Sequence, residues 1–195
     1  MSELIPTIGL EVHCQLQTQT KMFCGCPTQH ESGVNSAVCS ICLGHPGALP
    51  VVNDRAVRLA VRAGLALGCT IDPLSVFSRK HYFYPDLPKG YQISQFDRPI
   101  CRGGTIHVEI GGQRHTYALE RIHMEEDAGK LTHEGDRSLV DWNRGGTPLI
   151  EIVGKPDIHS ADAAAEWFRM MHRVMTAAGV TMGDLQKGHF RCDAN

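Results

Sequence analysis

Apolar and polar residues alternate strictly from Thr7 to Leu16. Ile8, Leu10, Val12, Cys14 and Leu16 fall on one face of a predicted strand, and Thr7, Gly9, Glu11, His13 and Gln15 on the other. Successive strand side chains point to opposite faces, so Glu11 and His13 would project side by side from the polar one. A helical period takes over later. Asn53 or Asp54 caps a helix predicted to run to about Leu67, with Val57, Ala60, Val61, Gly64 and Leu65 on one face and Gly68 as its stop. Ser160 caps a second helix, Ala161 to about Ala178, which Gly179 ends. Its stripe of Ala164, Trp167, Phe168, Met171, Val174, Met175 and Ala178 reads as core rather than as a cofactor box. Between the helices, residues 105–110 and 114–124 form a predicted hairpin around Gly111-Gly112, with Arg121, His123 and Glu125 on one strand face. Pro148–Val153 is a strand in which Glu151 is the lone charge. Ser78–Phe96 mixes aromatics, cations and prolines and reads as an ordered loop flanked by short strands. His189–Asn195 alternates again and stops without a turn or polar tail, which predicts that partner strands and further domains lie beyond this chain.

Composition narrows the class. The 195 residues suffice for one sizeable domain, and 42% apolar with 21% charged residues is ordinary for a globular protein. No segment approaches a membrane span. The net charge of −2 supplies no global field for nucleic acid, so any RNA contact needs a local basic patch or another chain. The 20 Gly and 10 Pro fall mostly between patterned segments, which predicts many turns and a sheet-rich fold.

Four of the eight cysteines stand at metal-ligand spacing: Cys24-x-Cys26, twelve residues, then Cys39-x-x-Cys42. Two pairs of thiolates at the ends of a short loop suit tetrahedral Zn²⁺, and a closed four-thiolate site has no open position for chemistry. The alternatives are unliganded thiols or disulfides; no apolar secretory segment precedes the cysteines, which favours a reducing cytoplasm. Cys14, Cys69, Cys101 and Cys192 are scattered singly and read as small core residues.

The reaction chemistry is sought among the acids. Glu11 and His13, Glu125-Glu126-Asp127, Glu151 and Asp193 stand on or beside strands that otherwise carry apolar residues. An antiparallel sheet could gather them on one face, where clustered carboxylates resist ionisation unless a cation such as Mg²⁺ is present. The alternative is local pairing, for example of Glu151 with Arg121 or Arg144. Glu125 and Glu126 would face opposite ways on a regular strand, so their joint use requires a bulge or turn. G-x-x-x-x-G-K-[ST] and G-x-G-x-x-G are both missing, so the common phosphate cradles are excluded.

The runs Ile8–His13, His45–Asn53, Tyr82–Asp86, Tyr91–Gln95, His123–Gly129, Asp141–Arg144, Gly146–Ile152 and Arg191–Asn195 resemble, in order and over essentially the whole chain, the B-subunit family of the aspartyl/glutamyl-tRNA amidotransferases. The archaeal E-type paralogue, specific for Glu-tRNA(Gln), is the competing assignment, and a zinc-stabilised tRNA-binding module without chemistry is a further alternative. The resemblance implies an α+β fold: an antiparallel cradle with flanking helices, glutamine-synthetase-like, with a zinc knuckle inserted at about 22–45. Residues 1–195 would then be the N-terminal part of the catalytic domain, without the family's helical and tail domains. It implies ATP-dependent phosphorylation of the side-chain carboxylate of misacylated Glu-tRNA(Gln) or Asp-tRNA(Asn). Amidation would follow, with ammonia from an amidase A subunit that works with a small C subunit. By motif position Glu11, His13, Glu125, Glu126, Glu151 and Asp193 are the implied catalytic Mg²⁺ set, and Cys24, Cys26, Cys39 and Cys42 the structural Zn²⁺ set. Arg79, Lys80 and Lys89, with Tyr82, Tyr84 and Tyr91, could meet phosphate or stack on the terminal adenosine. The tyrosines could equally be core.

Overall fold

The structure, a computed structural model, describes residues 4–29 and 33–195. His30, Glu31 and Ser32 of the predicted cysteine loop lie outside the described residues. The elements are β1 (Leu10–Gln15), α1 (Asp54–Ala66), β2 (Thr70–Ile71), β3 (Ser78–His81), β4 (Tyr91–Ser94), β5 (Cys101–Arg102) and β6 (Thr105–Ile110). They continue with β7 (Gln113–Glu126), β8 (Lys130–Glu134), β9 (Arg137–Asp141), β10 (Pro148–Gly154), α2 (Ala161–Ala177) and β11 (Phe190–Ala194). The fold is α+β: a seven-stranded sheet in the order β11-β1-β10-β7-β5-β2, with β6 also on β7, and two separate hairpins, β3–β4 and β8–β9. Every pairing of these strands is antiparallel. Among the described residues, no helix is long and apolar enough to cross a membrane.

Alternation dictates the layers. Val12 pairs with Ile152 and Cys14 with Ile150, and these in turn face Ile122 and Met124 of β7. All are buried on the face that the helices cover. Trp167, Met171 and Met175 of α2 are fully buried there, confirming the stripe as core. In α1 the buried residues are Ala56, Leu59, Ala60, Ala63 and Gly64, whereas Leu65 is 65% exposed. The predicted stripe is therefore rotated: small residues face the sheet because Gly64 lies against Cys101 and Ile71, where an added Cβ would collide. The Asn53 side chain accepts from the Arg55 and Ala56 amides, as its N-cap position predicts. Gly111 and Gly112, both with positive φ, make the tight β6–β7 turn that L-residues resist. The β8–β9 hairpin has no signal in the sequence; its burial is too slight to leave an alternation to read.

Candidate functional site

The opposite face of the sheet carries the polar set, and register decides its membership. Glu11 pairs with Asp193 and His13 with Arg191 on one side; His13 pairs with Glu151, and Glu151 with His123, on the other. Glu125 is two residues beyond His123 on the same face. The result is a cluster from four strands. His13 Nε2 lies 3.5 Å from Glu125 Oε1 and 3.4 Å from Glu151 Oε2, while its Nδ1 lies 3.7 Å from Asp193 Oδ2. His123 Nε2 reaches Glu151 Oε2 at 3.3 Å and Glu125 Oε2 at 3.7 Å. Donor atoms of His13, Glu125 and Glu151 all lie within 4.8 Å of one another, close enough to hold one metal ion.

The electrostatics are those of carboxylates in want of positive charge. The hydrogen bond to Glu151 raises the His13 pKa, with Glu125 assisting and burial opposing. For His123, burial pulls the pKa down, but hydrogen bonds to Glu125 and Glu151 outweigh it and the net shift is upward. Glu151 is pushed up by burial, yet the two imidazoles hold it well below the usual carboxylate range. Protonated imidazoles or a hard divalent cation can supply the balancing charge. Neither Arg121 nor Arg144 pairs with Glu151: Arg121 Nε donates to His123 Nδ1 at 3.4 Å, and Arg144 lies against Asp127, Ala128 and Gly129.

The structure separates Glu126 from Glu125. The strand stays regular at this point, with Glu125 opposite Leu149 and Glu126 opposite Pro148; the irregularity lies at Val153/Gly154. The expected bulge is therefore not formed, and the two carboxylates diverge. Glu126 is ion-paired with buried Lys89 and accepts from the Ile93 amide at 3.1 Å. Lys89 and Glu126 line a small cavity of about 80 Å³ with Tyr91, Cys24, Cys42 and His45, and neither His13 nor His123 lines it.

Beside the cluster is an open cleft of about 470 Å³ lined by Glu11, Arg79, Lys80, Ser94, Phe96, Arg121, His123 and Glu151, among others. The β3–β4 hairpin forms one wall, fixed to β7 by Ser94 Oγ donating to Glu125 at 3.5 Å and by Met124 N donating to Gln95 Oε1 at 3.0 Å. Arg79 stacks over Tyr91 at 4.9 Å. Tyr82 and Tyr84 are exposed at the hairpin tip, with ring centroids 5.9 Å apart, so neither is core. Of the six predicted nucleotide or tRNA contacts, the structure brings only Arg79 and Lys80 to the cleft.

The four sulfurs of Cys24, Cys26, Cys39 and Cys42 also lie within 4.8 Å of one another. Hydrogen bonding with Cys24 lowers the Cys42 thiol to about 4 against the opposing effect of burial, assisted by the Cys39 amide at 3.1 Å and the Lys21 charge, and the same pairing raises Cys24. A readily ionised thiol among four close sulfurs fits a soft metal ion. Hydrogen bonds between Asn35 and the segment Val140–Trp142, and between Ala37 and Asn143, tie this loop to the end of β9.

Three participants escape prediction as site residues, His123, Arg191 and Lys21, and Asp127 is grouped with the candidate acids but not with the implied ion ligands. The period-2 rule holds the signal for two of them, since His123 precedes Glu125 by two and Arg191 precedes Asp193 by two. Nothing local marks Lys21 as buried.

Known proteins resemble this chain over nearly its whole length. The profile of the GatB/GatE catalytic domain matches residues 6–195. The B subunit of the aspartyl/glutamyl-tRNA(Asn/Gln) amidotransferase of Geobacter sulfurreducens is 55% identical over 193 residues, 96% of this chain and 40% of the relative. The Myxococcus xanthus B subunit is 55% identical over 197 residues, 100% of this chain and 41% of the relative. The Anaeromyxobacter dehalogenans B subunit is 54% identical over 198 residues, again 100% and 41%. The chain thus spans about two fifths of the length of the curated relatives it matches. With its profile match running from Pro6 to the last residue, this chain belongs to the GatB/GatE catalytic domain family.

Proposed function

We propose that this chain supplies the carboxylate-activating site of a tRNA-dependent amidotransferase of the B type. The observation that carries the reading is the His13–Glu125–Glu151 cluster at the edge of a cleft whose other wall holds Arg79 and Lys80. The relatives named above carry the B-subunit name, which favours it over the E type. In the proposed reaction, a side-chain carboxylate oxygen of aspartate or glutamate esterified to tRNA attacks the γ-phosphorus of ATP and ADP leaves. Ammonia then attacks the acyl carbon, and phosphate departs as the nitrogen loses a proton.

A carboxylate is a poor acyl donor because its leaving group would be oxide, and phosphorylation removes that obstacle. On this reading Arg79 and Lys80 would meet phosphate oxygens, and Glu125, Glu151, His13, Asp193 and Glu11 would hold divalent ions. A bound Mg²⁺ would neutralise phosphate oxygens during transfer. Cys24, Cys26, Cys39 and Cys42 would hold Zn²⁺ as a clamp on the loop between β1 and α1, outside the chemistry. On this reading residues 1–195 are the N-terminal part of a longer catalytic subunit, with a knuckle at about 22–45. Its partners are an amidase A subunit, a small C subunit and misacylated tRNA, and its setting is the cytoplasm. The test is Glu125→Gln in the full-length complex. Amide formation should be lost, by roughly a hundredfold or more, while hydrolysis of glutamine by the partner persists. Normal amidation by that variant would overturn the reading, and tolerance of Glu125, Glu151 and His13 changes together would favour a tRNA-binding module without chemistry.

A further inference from the structure

Arg191 and Asp193 are two residues apart on β11; across the β1–β11 pairing Arg191 lies opposite His13 and Asp193 opposite Glu11. Asp193 is exposed and approaches the imidazole, as a metal ligand could. Arg191 is a cation, and a cation beside a divalent-ion site repels the ion it would be thought to serve.

How Arg191 is held is informative. Its Nη2 donates to Asp127 Oδ1 at 3.1 Å, and Asp127 is only 3% exposed. The same carboxylate accepts from Gln15 Nε2 at 2.7 Å and the Ala128 amide at 2.9 Å, and Arg144 Nε lies 3.7 Å from it. Asp127 is therefore fully used as an anchor, tying β1, β11 and the loop after β7 together. Arg191 spends one donor on it. A guanidinium has five N–H groups, and among the described residues no other acceptor takes the rest. The side chain remains 35% exposed. A buried carboxylate is a costly way to hold a surface arginine unless the orientation of that arginine matters.

We infer that Arg191, oriented by Asp127, binds an oxyanion of the reaction next to the His13–Glu125–Glu151 cluster. The chemistry is that of a carboxylate or phosphate oxygen pair, which a guanidinium fork matches. This rests on the proposed function. Two sources can supply the oxyanion, the side-chain carboxylate of the aminoacyl-tRNA or a phosphate of ATP, and the kinetics separate them. Asp127 is a positioning residue and does not touch the ligand.

The experiment uses the full-length complex with saturating glutamine. Arg191→Met should raise KM for one substrate, aminoacyl-tRNA or ATP, roughly 10- to 100-fold, the range for losing a charged hydrogen bond. The other KM and the partner's hydrolysis of glutamine should stay near wild type. The substrate whose KM moves names the source. Arg191→Lys should recover part of the loss. Asp127→Asn should move the same KM by less, and the Arg191→Met/Asp127→Asn pair should be no worse than Arg191→Met alone. If Arg191→Met is poorly folded, the Lys and Asn variants still carry the reading. Unchanged KM values in all variants, or equal and additive losses in both KM values, would overturn it. Glu125→Gln is run alongside: normal amidation there refutes the proposed function, whereas its loss with Arg191 silent refutes only this inference.

Discussion

Lys21 is fully buried, and its polar partners are Cys42 Sγ at 3.8 Å and the Trp142 carbonyl at 3.3 Å. A buried ammonium needs a counter-charge, and among the described residues the cysteine cluster is the one in contact with it. At 3.8 Å and an effective dielectric of 20 the attraction to a Cys42 thiolate is about 4 kcal/mol. Cys42 is only half-buried, so solvent screening brings the expected coupling nearer to about 2 kcal/mol. The perturbation is Lys21→Met, which keeps the stem volume and removes the charge, made in wild-type and in Cys42→Ala backgrounds. With the thiolate present, the substitution should destabilise by about 2–3 kcal/mol. With the thiolate removed, Lys21 is itself an unpaired buried charge, and the same substitution should be neutral or stabilising. Urea unfolding under reductant and chelator gives the four stabilities, and chelator competition on zinc-loaded protein gives a second readout, with tighter zinc in the chain that keeps Lys21. Equal losses in both backgrounds would show that Lys21 acts by packing alone and would refute the charge argument. Because the cycle is run without metal, it holds whether or not purified protein contains zinc.

Three further outcomes are expected. Cys39→Ser should lower zinc content and thermal stability together; zinc loss with an unchanged melting temperature would show that the loop between β1 and α1 needs no clamp. Folded-state pKa values of His13 and His123 lie above 6.5, so their contribution is complete below 6.5 and fades as pH rises through the raised values. Glu151 lies below 4.5, so its contribution is complete above 4.5 and fades as pH falls. Chelated protein should therefore lose stability as pH rises above 6.5 through the raised values, relative to a His13→Gln/His123→Gln variant, and parallel urea midpoints would contradict this. Glu126→Gln should cost roughly 3 kcal/mol, because it leaves Lys89 buried without its partner; a loss of stability in urea unfolding below a quarter of that would argue that Lys89 finds another acceptor.

Local chemistry made much of this protein legible in its sequence. The alternation from Thr7 to Leu16 told which side of β1 is core, and so placed Glu11 and His13 together on the other side. Asn53 and Ser160 declared the helix starts because a cap needs only its own next two or three amides. Four sulfurs could be grouped from spacing because the pairs are close in the chain. These are short-range facts, settled by backbone geometry within a few residues.

What only the tertiary structure decided was adjacency. His13 and Glu151 are far apart in the chain and meet because β1 and β10 pair in one register; a slip by one residue would turn every side chain to the other face. The divergence of Glu125 and Glu126 follows from a strand that stays regular where a bulge was expected, leaving Lys89 to claim Glu126. Lys21 meets Cys42, and Asp127 meets Arg191 of β11, across long stretches of sequence. Alternation assigns a residue to a face, but the free energy that selects its neighbours there comes from packing the whole sheet against α1 and α2, which no single segment encodes.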